Sequence, residues 1–356
     1  MKKLVLSVFV LGAIFFVSVF VLLFFWRLQI DSDVVLQEWE DISVFKKELN
    51  TYEEFLVKLY LNLSEENLES IYAGVYNFEG SYRVSDFVEK INKGPDKSYK
   101  SITIREGWSI YDVDKHLNNL DLIDSGEYEN FAKSDDIISS YKERYDFLSV
   151  AGEDNEINTL EGFLYPETYH IDIQFLEDSQ KIIDQLIYMQ LEQFDQTVWE
   201  SLEGDYYNFN ENLSARWYVF DLDFYDIVKL ASIIEKEENY DQNKPLIAWI
   251  FINRLNENMR LDADVSLCYW LDQAYQNCDQ DTIREKVDDA TNPYNTRVKH
   301  GMTPTPISNI NFHSINAVLN FEETTDFYYL HDQNWNIHTS SDLESHRQKR
   351  INYWIW

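Results

Sequence analysis

An unbroken apolar run near the amino end restricts this chain more than any other feature. Residues 4–26 include no charged side chain. A helix of that length, rising about 1.5 Å per residue, crosses roughly 30 Å of hydrocarbon, and a helix satisfies its own backbone hydrogen bonds in lipid. The run is longer than the apolar core of a usual signal peptide, and no clear small-x-small cleavage site closes it. We therefore predict a single-pass transmembrane helix.

The charges beside this run predict its orientation. Lys2 and Lys3 precede it, and strongly acidic sequence follows Arg27. Basic residues are retained on the cytoplasmic side of a membrane. We expect a cytoplasmic amino terminus, with the rest of the chain outside the cytoplasm on the cell membrane.

Composition excludes some classes of partner. The 356 residues are 45% hydrophobic, which is enough for a packed core. The formal net charge is −33, from 63 acidic and 30 basic residues. Such a charge argues against nucleic-acid binding through a basic surface. A neutral or weakly charged glycan, bound in a local cleft, remains compatible with it.

The chain has two cysteines, Cys268 and Cys278, so it is not a disulfide scaffold. In an exported domain the two could pair across a short loop. Two unpaired thiols are equally compatible with the sequence.

Local patterns predict an α+β protein with a small module before a larger domain. Segments 71–78 and 101–107 alternate like strands, and segments 85–94 and 109–120 have helical spacing and begin at a capping serine. The predicted organisation, in chain order, is a cytoplasmic tip and anchor (1–30), a helical stalk (31–70), a small α+β module (71–120), connecting helices (121–149) and the larger α+β domain (150–356).

Within the larger domain, residues 220–240 have the pattern of an amphipathic helix. Asp223 is a plausible N-cap, and an apolar stripe ends in a cluster of carboxylates, Glu235, Glu237 and Glu238. A carboxylate at the edge of an apolar face can be partly desolvated, which raises its pKa and suits it to act as a general acid. The alternative is a solvated acidic helix end, and helical spacing alone does not choose Glu235 over Glu238.

Three motifs occur in a fixed order along the chain. They are LEGFLYPETYHI at 160–171 (the 160s motif), LASIIEKE at 230–237, and NPYNTRVKHGMTPTPISN at 292–309 (the 300s motif). Together they resemble the signatures of the endolytic murein transglycosylases, the MltG or YceG-like family. The resemblance covers residues 71 to 350, and it implies that the small module is LysM-like. Such a module either contacts glycan or acts as a structural spacer, and the absence of an evident aromatic platform favours the spacer.

The resemblance makes Glu235 the catalytic residue. It implies cleavage of the β-1,4 bond between N-acetylmuramic acid and N-acetylglucosamine in nascent peptidoglycan, with 1,6-anhydro ends that limit strand length. No metal or organic cofactor is implied, and no spacing among the seven histidines suggests a metal site. The expected partners are peptidoglycan strands, the membrane and peptidoglycan synthases.

The other motif positions give candidate substrate-binding residues, although each could equally be a structural loop residue. These candidates are Glu161, Tyr165, Tyr169, Asp264, Tyr294, Asn295 and Thr296. The chain departs from the family pattern at several positions: Val265 and Thr303 each replace a Pro, Arg297 replaces a Tyr, and Thr305 replaces a Gly. Thr305 matters for the backbone, because Thr tolerates positive φ poorly.

Two other functions stay open at this point. The departures could mark a catalytically inactive wall-binding scaffold tethered to the membrane. Alternatively, the chain could be a muramidase in which Glu235 and Asp264 activate water.

Overall fold

The computed structural model describes residues 27–30, 32–36, 43–47, 49–64, 74–96, 98–152, 156–172, 176, 178–214, 221–271, 278 and 280–353. The predicted transmembrane helix at 4–26 lies outside these residues. Among the residues described, no helix is both long enough and apolar enough to cross a membrane. The chain divides into two compact units, the first made of residues 1–101 and 170–174 and the second of residues 102–169 and 175–356.

The first unit is built on two antiparallel strand pairs. Its elements are β1 (Arg27–Gln29), β2 (Ser32–Leu36), α1 (Ser43–Lys47), α2 (Thr51–Ser64), β3 (Gly74–Phe78), β4 (Ser81–Arg83), α3 (Val84–Lys93) and most of β5 (Tyr99–Thr103). β1 pairs with β4 and β2 with β3. Arg27 lies opposite Arg83 in the first pair, and Leu36 lies opposite Gly74 in the second.

An aromatic core fills this unit. Phe45 makes edge contacts with the rings of Tyr76, Phe78 and Phe87, at centroid distances of 5.1, 6.1 and 6.3 Å. Both β1 and β2 bury alternate side chains in the same core. Such edge-to-face arrays stabilise beyond the area that they bury.

The stalk prediction is wrong for residues 32–36, which form β2 rather than a helix. The physical reason is that Leu28, Ile30, Val34 and Leu36 recur with a period of two and are all buried. Helix α2 does lie where helical spacing predicts one. Within the predicted small module, β3, α3 and β5 occur as expected. Its last helix, α4, belongs to the second compact unit.

The second unit is mainly helical. Its elements are α4 (Ile110–Asn119), α5 (Glu127–Ala132), α6 (Asp135–Lys142), α7 (Asp146–Ala151), α8 (Ser179–Phe194), a π-helical turn (Asp195–Trp199), α9 (Glu200–Ser214), α10 (Phe224–Glu237), α11 (Lys244–Asn256), α12 (Asp264–Trp270), α13 (Gln280–Lys286), α14 (Phe312–Leu319), β7 (Tyr328–His331), β8 (Ile337–Ser340) and α15 (Leu343–Asn352). β7 and β8 form an antiparallel hairpin. β5 pairs with β6 (Thr168–Asp172), and the division between the units falls within both strands.

Helix α10 is the centre of the second unit. It begins at Asp223, whose side chain accepts a hydrogen bond from the Asp226 backbone N–H at 2.7 Å, as the sequence predicts. It packs against α7, α11, α12 and α14, so almost every side chain from Phe224 to Glu235 is buried. The prediction of a single apolar stripe is therefore wrong, because neighbours cover the helix on all sides.

One covalent and one steric constraint fix the loops around α10. Cys268 in α12 forms a disulfide with Cys278, with Cα atoms 5.8 Å apart. Gly162 has φ +89°, and a Cβ there would lie 2.6 Å from Val228 Cγ1 and 2.7 Å from Pro306 Cβ. Only glycine allows this close approach, so the 160s motif packs directly between α10 and the 300s motif.

Glu161 anchors the same motif from inside the protein. Its side chain is buried, and its Oε2 accepts a hydrogen bond from the Ile110 N–H, at the start of α4, at 2.9 Å. The Tyr269 hydroxyl provides a second hydrogen bond. Burial raises the pKa of Glu161 to about 8, and these hydrogen bonds only partly oppose the increase.

This carboxyl group should make stability depend on pH. Between its ordinary pKa of 4.5 and about 8, the folded state binds a proton that the unfolded state has lost. The free energy of unfolding should therefore fall by about 1.4 kcal/mol per pH unit across this range and level off above it. Glu161→Gln, which imitates the neutral acid, should have a flatter Tm profile from pH 5 to 8 and a higher Tm at pH 8. Glu143→Gln, at an exposed position, is the matched control, and identical slopes in all three proteins would contradict the assignment.

Candidate active site

The carboxylate of Glu235 is buried near the end of α10, and its side chain is 5% exposed. Its Oε2 atom receives three contacts. The Ser314 hydroxyl donates a short hydrogen bond, the Lys244 Nζ lies at 3.3 Å, and the Asn311 N–H lies at 3.5 Å. Among the described residues, no hydrogen bond reaches Oε1. Oε2 is therefore fixed by the protein, whereas Oε1 is engaged by no described residue.

The start of helix α14 supplies two of these three contacts. Asn311 is its N-cap residue, and its side chain accepts a hydrogen bond from the Ser314 N–H at 3.1 Å. The sequence suggests Ser314 itself as the cap of a helix over 314–320, which is wrong. The helix begins two residues earlier, which leaves the Ser314 hydroxyl to donate to Glu235. The amino end of α14 therefore lies beside the Glu235 side chain.

Tyr165 meets the same helix start. Its hydroxyl accepts a hydrogen bond from the Phe312 N–H, so adjacent backbone N–H groups contact Glu235 and Tyr165. Burial, followed by the carboxylates of Glu106, Glu167 and Glu235, raises the pKa of Tyr165. Its hydroxyl is consequently protonated at neutral pH and can donate to a bound ligand.

Tyr169 supports Tyr165 rather than facing solvent. It is buried, and its hydroxyl donates to the Tyr165 backbone carbonyl at 2.6 Å. The structure thus brings Tyr165 of the 160s motif to Glu235, with Tyr169 positioning it. Glu161, in contrast, lies in the interior at the start of α4.

A loop that sequence reasoning missed lies over Glu235. Gly107 has φ +71°, and a Cβ there would lie 3.8 Å from Glu235 Cγ. Asn309 holds the loop, since its N–H donates to the Trp108 carbonyl at 2.7 Å and its side chain donates to the Arg105 carbonyl at 3.1 Å. Trp108 is therefore fixed beside Gly107, which lies over Glu235. The sequence signal for this loop is the Gly-Trp pair before the Ser109 cap.

Glu238, the other candidate for the general acid in this cluster, is hydrogen-bonded at both carboxylate oxygens. Glu238 accepts from His331 and Asn243, both at 2.9 Å, and from the Tyr240 N–H at 2.7 Å. Burial would raise the pKa of Glu238, but these hydrogen bonds outweigh it and hold the pKa below the ordinary value. Helical spacing could not separate Glu235 from Glu238, whereas the hydrogen bonds do.

Glu237 is bonded to the β7–β8 hairpin. It accepts a hydrogen bond from the Tyr329 hydroxyl at 2.8 Å. Burial raises the pKa of Glu237, and the Tyr329 hydrogen bond opposes this increase. Glu237 therefore connects the end of α10 to β7.

Asp264 forms an ion pair with Arg297, which stands where the family pattern has a Tyr. The guanidinium donates through Nε to Oδ1 and through NH2 to Oδ2, the second at 2.9 Å. Both carboxylate oxygens are therefore engaged. This planar two-bond geometry is typical of Arg and is unavailable to a Tyr.

The remaining candidates in the 300s motif are Asn295, Thr296 and Tyr294. The first two hold the backbone, and the third lies at the surface. Asn295 donates to the backbone carbonyls of Val287 and Asp289 at 2.9 and 3.1 Å. Thr296 exchanges hydrogen bonds with the backbone of Ala263. Neither side chain points to open solvent. Tyr294 instead lines a surface groove.

The backbone at Thr305 is not strained. Thr305 is not among the described non-glycine residues with positive φ. Its hydroxyl bonds with the Tyr294 hydroxyl at 2.8 Å and donates to the Pro306 carbonyl at 2.9 Å. The chain therefore forms this turn without the glycine of the family pattern.

No group of three or more His, Cys, Asp or Glu residues within the described ranges is arranged to hold a metal ion.

Comparison with known proteins identifies a family for this chain. The family model of the YceG-like family matches residues 31–351. An endolytic murein transglycosylase of Streptococcus pneumoniae is 27% identical over 285 residues, covering 75% of this chain and 48% of the relative. An endolytic murein transglycosylase of Bacillus subtilis is 23% identical over 285 residues, covering 79% of this chain and 72% of the relative. The chain thus spans about half the length of the streptococcal relative.

The fold also has a counterpart among solved structures. The crystal structure of a putative YceG-like protein from Listeria monocytogenes superposes with a TM-score of 0.55 at 21% identity, covering 89% of this chain and 98% of that one. Its likeness concerns the fold alone. Because the family model matches nearly all of the chain beyond residue 30, this protein belongs to the YceG-like family.

Proposed function

We propose that this protein is a membrane-anchored lytic transglycosylase that cuts the β-1,4 bond between N-acetylmuramic acid and N-acetylglucosamine in nascent peptidoglycan. The observation that carries the proposal is the asymmetric environment of Glu235, with Oε2 held by Ser314 and Lys244 and Oε1 unengaged by any described residue. The names of the relatives agree with this chemistry.

In the proposed reaction, protonated Glu235 gives its proton to the glycosidic oxygen as the C1–O bond breaks. The substrate's N-acetyl group supports the oxocarbenium-like centre. The resulting carboxylate then removes the proton of the C6 hydroxyl, whose oxygen bonds to C1 and closes the 1,6-anhydro ring. One side chain acts as acid and then as base, and no water is consumed.

The residues around Glu235 suit both steps. Between them the carboxylate is negatively charged, and Lys244, the Ser314 hydroxyl and the Asn311 N–H stabilise that charge at Oε2. The Tyr165 hydroxyl lies beside the same helix start and can donate to the N-acetyl oxygen. We assign Tyr165 a substrate-orienting role.

The proposed location is the cell membrane, with residues 4–26 as anchor and the chain after residue 26 outside the cytoplasm. The Cys268–Cys278 disulfide supports this location, since disulfides persist in oxidising compartments. There the protein would meet nascent strands beside the synthases that make them.

Removal of the Glu235 acid should abolish cleavage. Glu235→Gln retains the size of the side chain and an oxygen that can accept from Ser314, so we expect the fold to persist and muropeptide release from purified sacculi to fall about 10²–10⁴-fold. Glu257→Gln, at an exposed position after α11, is the matched control and should cut at the normal rate. Equal rates for both variants would exclude Glu235 as the acid.

The end groups of the products separate the alternatives. Mass spectrometry of wild-type digests should show anhydro ends. Reducing ends would identify a water-using muramidase, and binding to sacculi without release of fragments would identify an inactive scaffold.

Asp264→Asn tests the muramidase alternative directly. Because both Asp264 oxygens are bound to Arg297, we expect this variant to retain anhydro products at close to the normal rate. The pair is roughly two-fifths exposed, so its loss should cost no more than about 1 kcal/mol of stability, measured by chemical denaturation. Loss of all cleavage by a folded Asp264→Asn protein would favour Asp264 as a second catalytic carboxylate.

Protease treatment tests the proposed orientation. In bacterial protoplasts that express the full chain, externally added protease should degrade the part after the anchor, as detected by an antibody against the carboxyl-terminal helix. A cytoplasmic marker protein is the control. Protection of the chain equal to that of the marker would reject this orientation.

A further inference from the structure

A second ligand-sized surface lies in the same compact unit as Glu235. It is a groove of about 320 Å³ lined by four aromatic side chains, Tyr111, Tyr269, Trp270 and Tyr294, together with Lys133 and residues of the 300s motif. We call it the aromatic groove. Neighbouring rings are in contact, with centroid distances of 5.2 Å for Tyr111–Tyr269, 4.9 Å for Tyr269–Tyr294 and 6.1 Å for Trp270–Tyr294.

The tyrosines of the groove are held rigidly from behind. Tyr269 bonds to buried Glu161, and the Tyr294 hydroxyl lies 2.8 Å from the Thr305 hydroxyl. Trp270 is 53% exposed, although it lies nearly parallel to the Tyr294 ring at an interplanar angle of 27°. The Cys268–Cys278 disulfide fixes α12, the helix that carries Trp270. The exposed Trp270 ring is thus kept on a rigid support that includes buried Tyr269 and Tyr294, which lowers the entropic cost of binding.

The charge of the groove suits a neutral ligand. Lys133 is the cation among the residues that line it, and its Nζ already contacts Glu129 at 2.8 Å and the Tyr111 hydroxyl at 2.9 Å. Asp135 contributes a negative charge to the same lining. Flat apolar faces edged by hydroxyl, amide and ammonium groups match a pyranose ring, which has apolar faces and a hydroxylated edge.

The 300s motif, with the residues directly after it, connects the groove to Glu235. Thr305 lines the groove, and Asn311 contacts the Glu235 carboxylate. Asn311 follows Thr305 by six positions, so the backbones of these two residues are at most about 22 Å apart. A glycan of a few sugar rings can span that distance.

We propose that the aromatic groove binds uncleaved sugar rings of the same glycan strand, with Trp270 and Tyr111 as stacking residues. The proposal rests on the proposed function in assuming that the strand reaches Glu235. It adds a holding site away from the bond that is cut, which makes long strands better substrates than short ones.

Binding can be measured without catalysis. Full-length Glu235→Gln protein would be titrated calorimetrically with peptide-free peptidoglycan strands and with a neutral N-acetylglucosamine hexamer. Adding Trp270→Ala should raise the Kd for both by about tenfold, which corresponds to about 1.4 kcal/mol. Trp270→Phe, which retains a flat ring, should have an intermediate Kd. Trp335→Ala, at a comparably exposed tryptophan on the β7–β8 turn, should leave the Kd unchanged.

Kinetics of the active protein distinguish the two proposals. With Glu235 intact, Trp270→Ala should raise KM for long strands at nearly constant kcat and leave short oligomers unaffected. Anhydro products with no difference between Trp270→Ala and Trp335→Ala would overturn the groove proposal and leave the proposed function standing. Trp270-dependent binding without anhydro products would overturn the proposed function and leave the groove proposal standing. Absence of measurable binding to either probe would also overturn the groove proposal.

Discussion

The contact between a buried carboxylate and the start of helix α14 is the interaction on which the candidate site depends. Withdrawal of a charged Glu235 from water would cost several kcal/mol if it were unpaired. The protein offsets that cost at a single oxygen, through Lys244, Ser314 and the Asn311 N–H. Lys244 is itself 2% exposed and also contacts Asp241 at 2.8 Å, so its ammonium group is fixed in place. The other oxygen is thereby left for chemistry.

The same helix start gathers segments that are far apart in the chain. Phe312 holds Tyr165, and Pro306 packs on Gly162 within the same 160s motif. The Ile307 N–H donates to the Ser232 hydroxyl on α10 at 3.0 Å, one turn before Glu235. These contacts explain why Gly162 cannot carry a side chain. Any Cβ there would separate the motif from the 300s segment and move Tyr165 away from the carboxylate.

Local signals predicted much of this architecture. The Asp223 cap and the Ser109 cap follow from the sequence, although α10, Phe224–Glu237, is shorter than the predicted 220–240. The structure adds that Ser109 and Asp112 bond to each other's backbone. Such features depend on residues three or four apart, so the sequence contains the whole interaction.

Non-local contacts could not be predicted in this way. Ser314 looks like a cap, and only its approach to Glu235 from 79 residues away reveals its role. Lys244 looks like a surface residue at a helix start, and it is buried. Glu161 looks like a cleft carboxylate and lies in the interior, because α4 supplies its hydrogen-bond donor. In each case, the decisive partner comes from a distant part of the chain, beyond the range of helical or strand periodicity.

The neighbouring carboxylates explain why one residue would perform both proton transfers. A water-using mechanism needs a second carboxylate that is free to activate water. Asp264 is bound at both oxygens by Arg297, Glu238 accepts from three donors, and Glu237 accepts from Tyr329. Among these four acids near the end of α10, Glu235 and Glu237 each keep one oxygen that no described residue engages. Glu237 is joined to β7 through Tyr329, whereas Glu235 contacts the start of α14. Arg297, which replaces a Tyr of the family pattern, engages both oxygens of Asp264, the acid that the muramidase alternative combines with Glu235. A substrate hydroxyl as the nucleophile therefore fits the surroundings of Glu235 better than a water activated by a second acid.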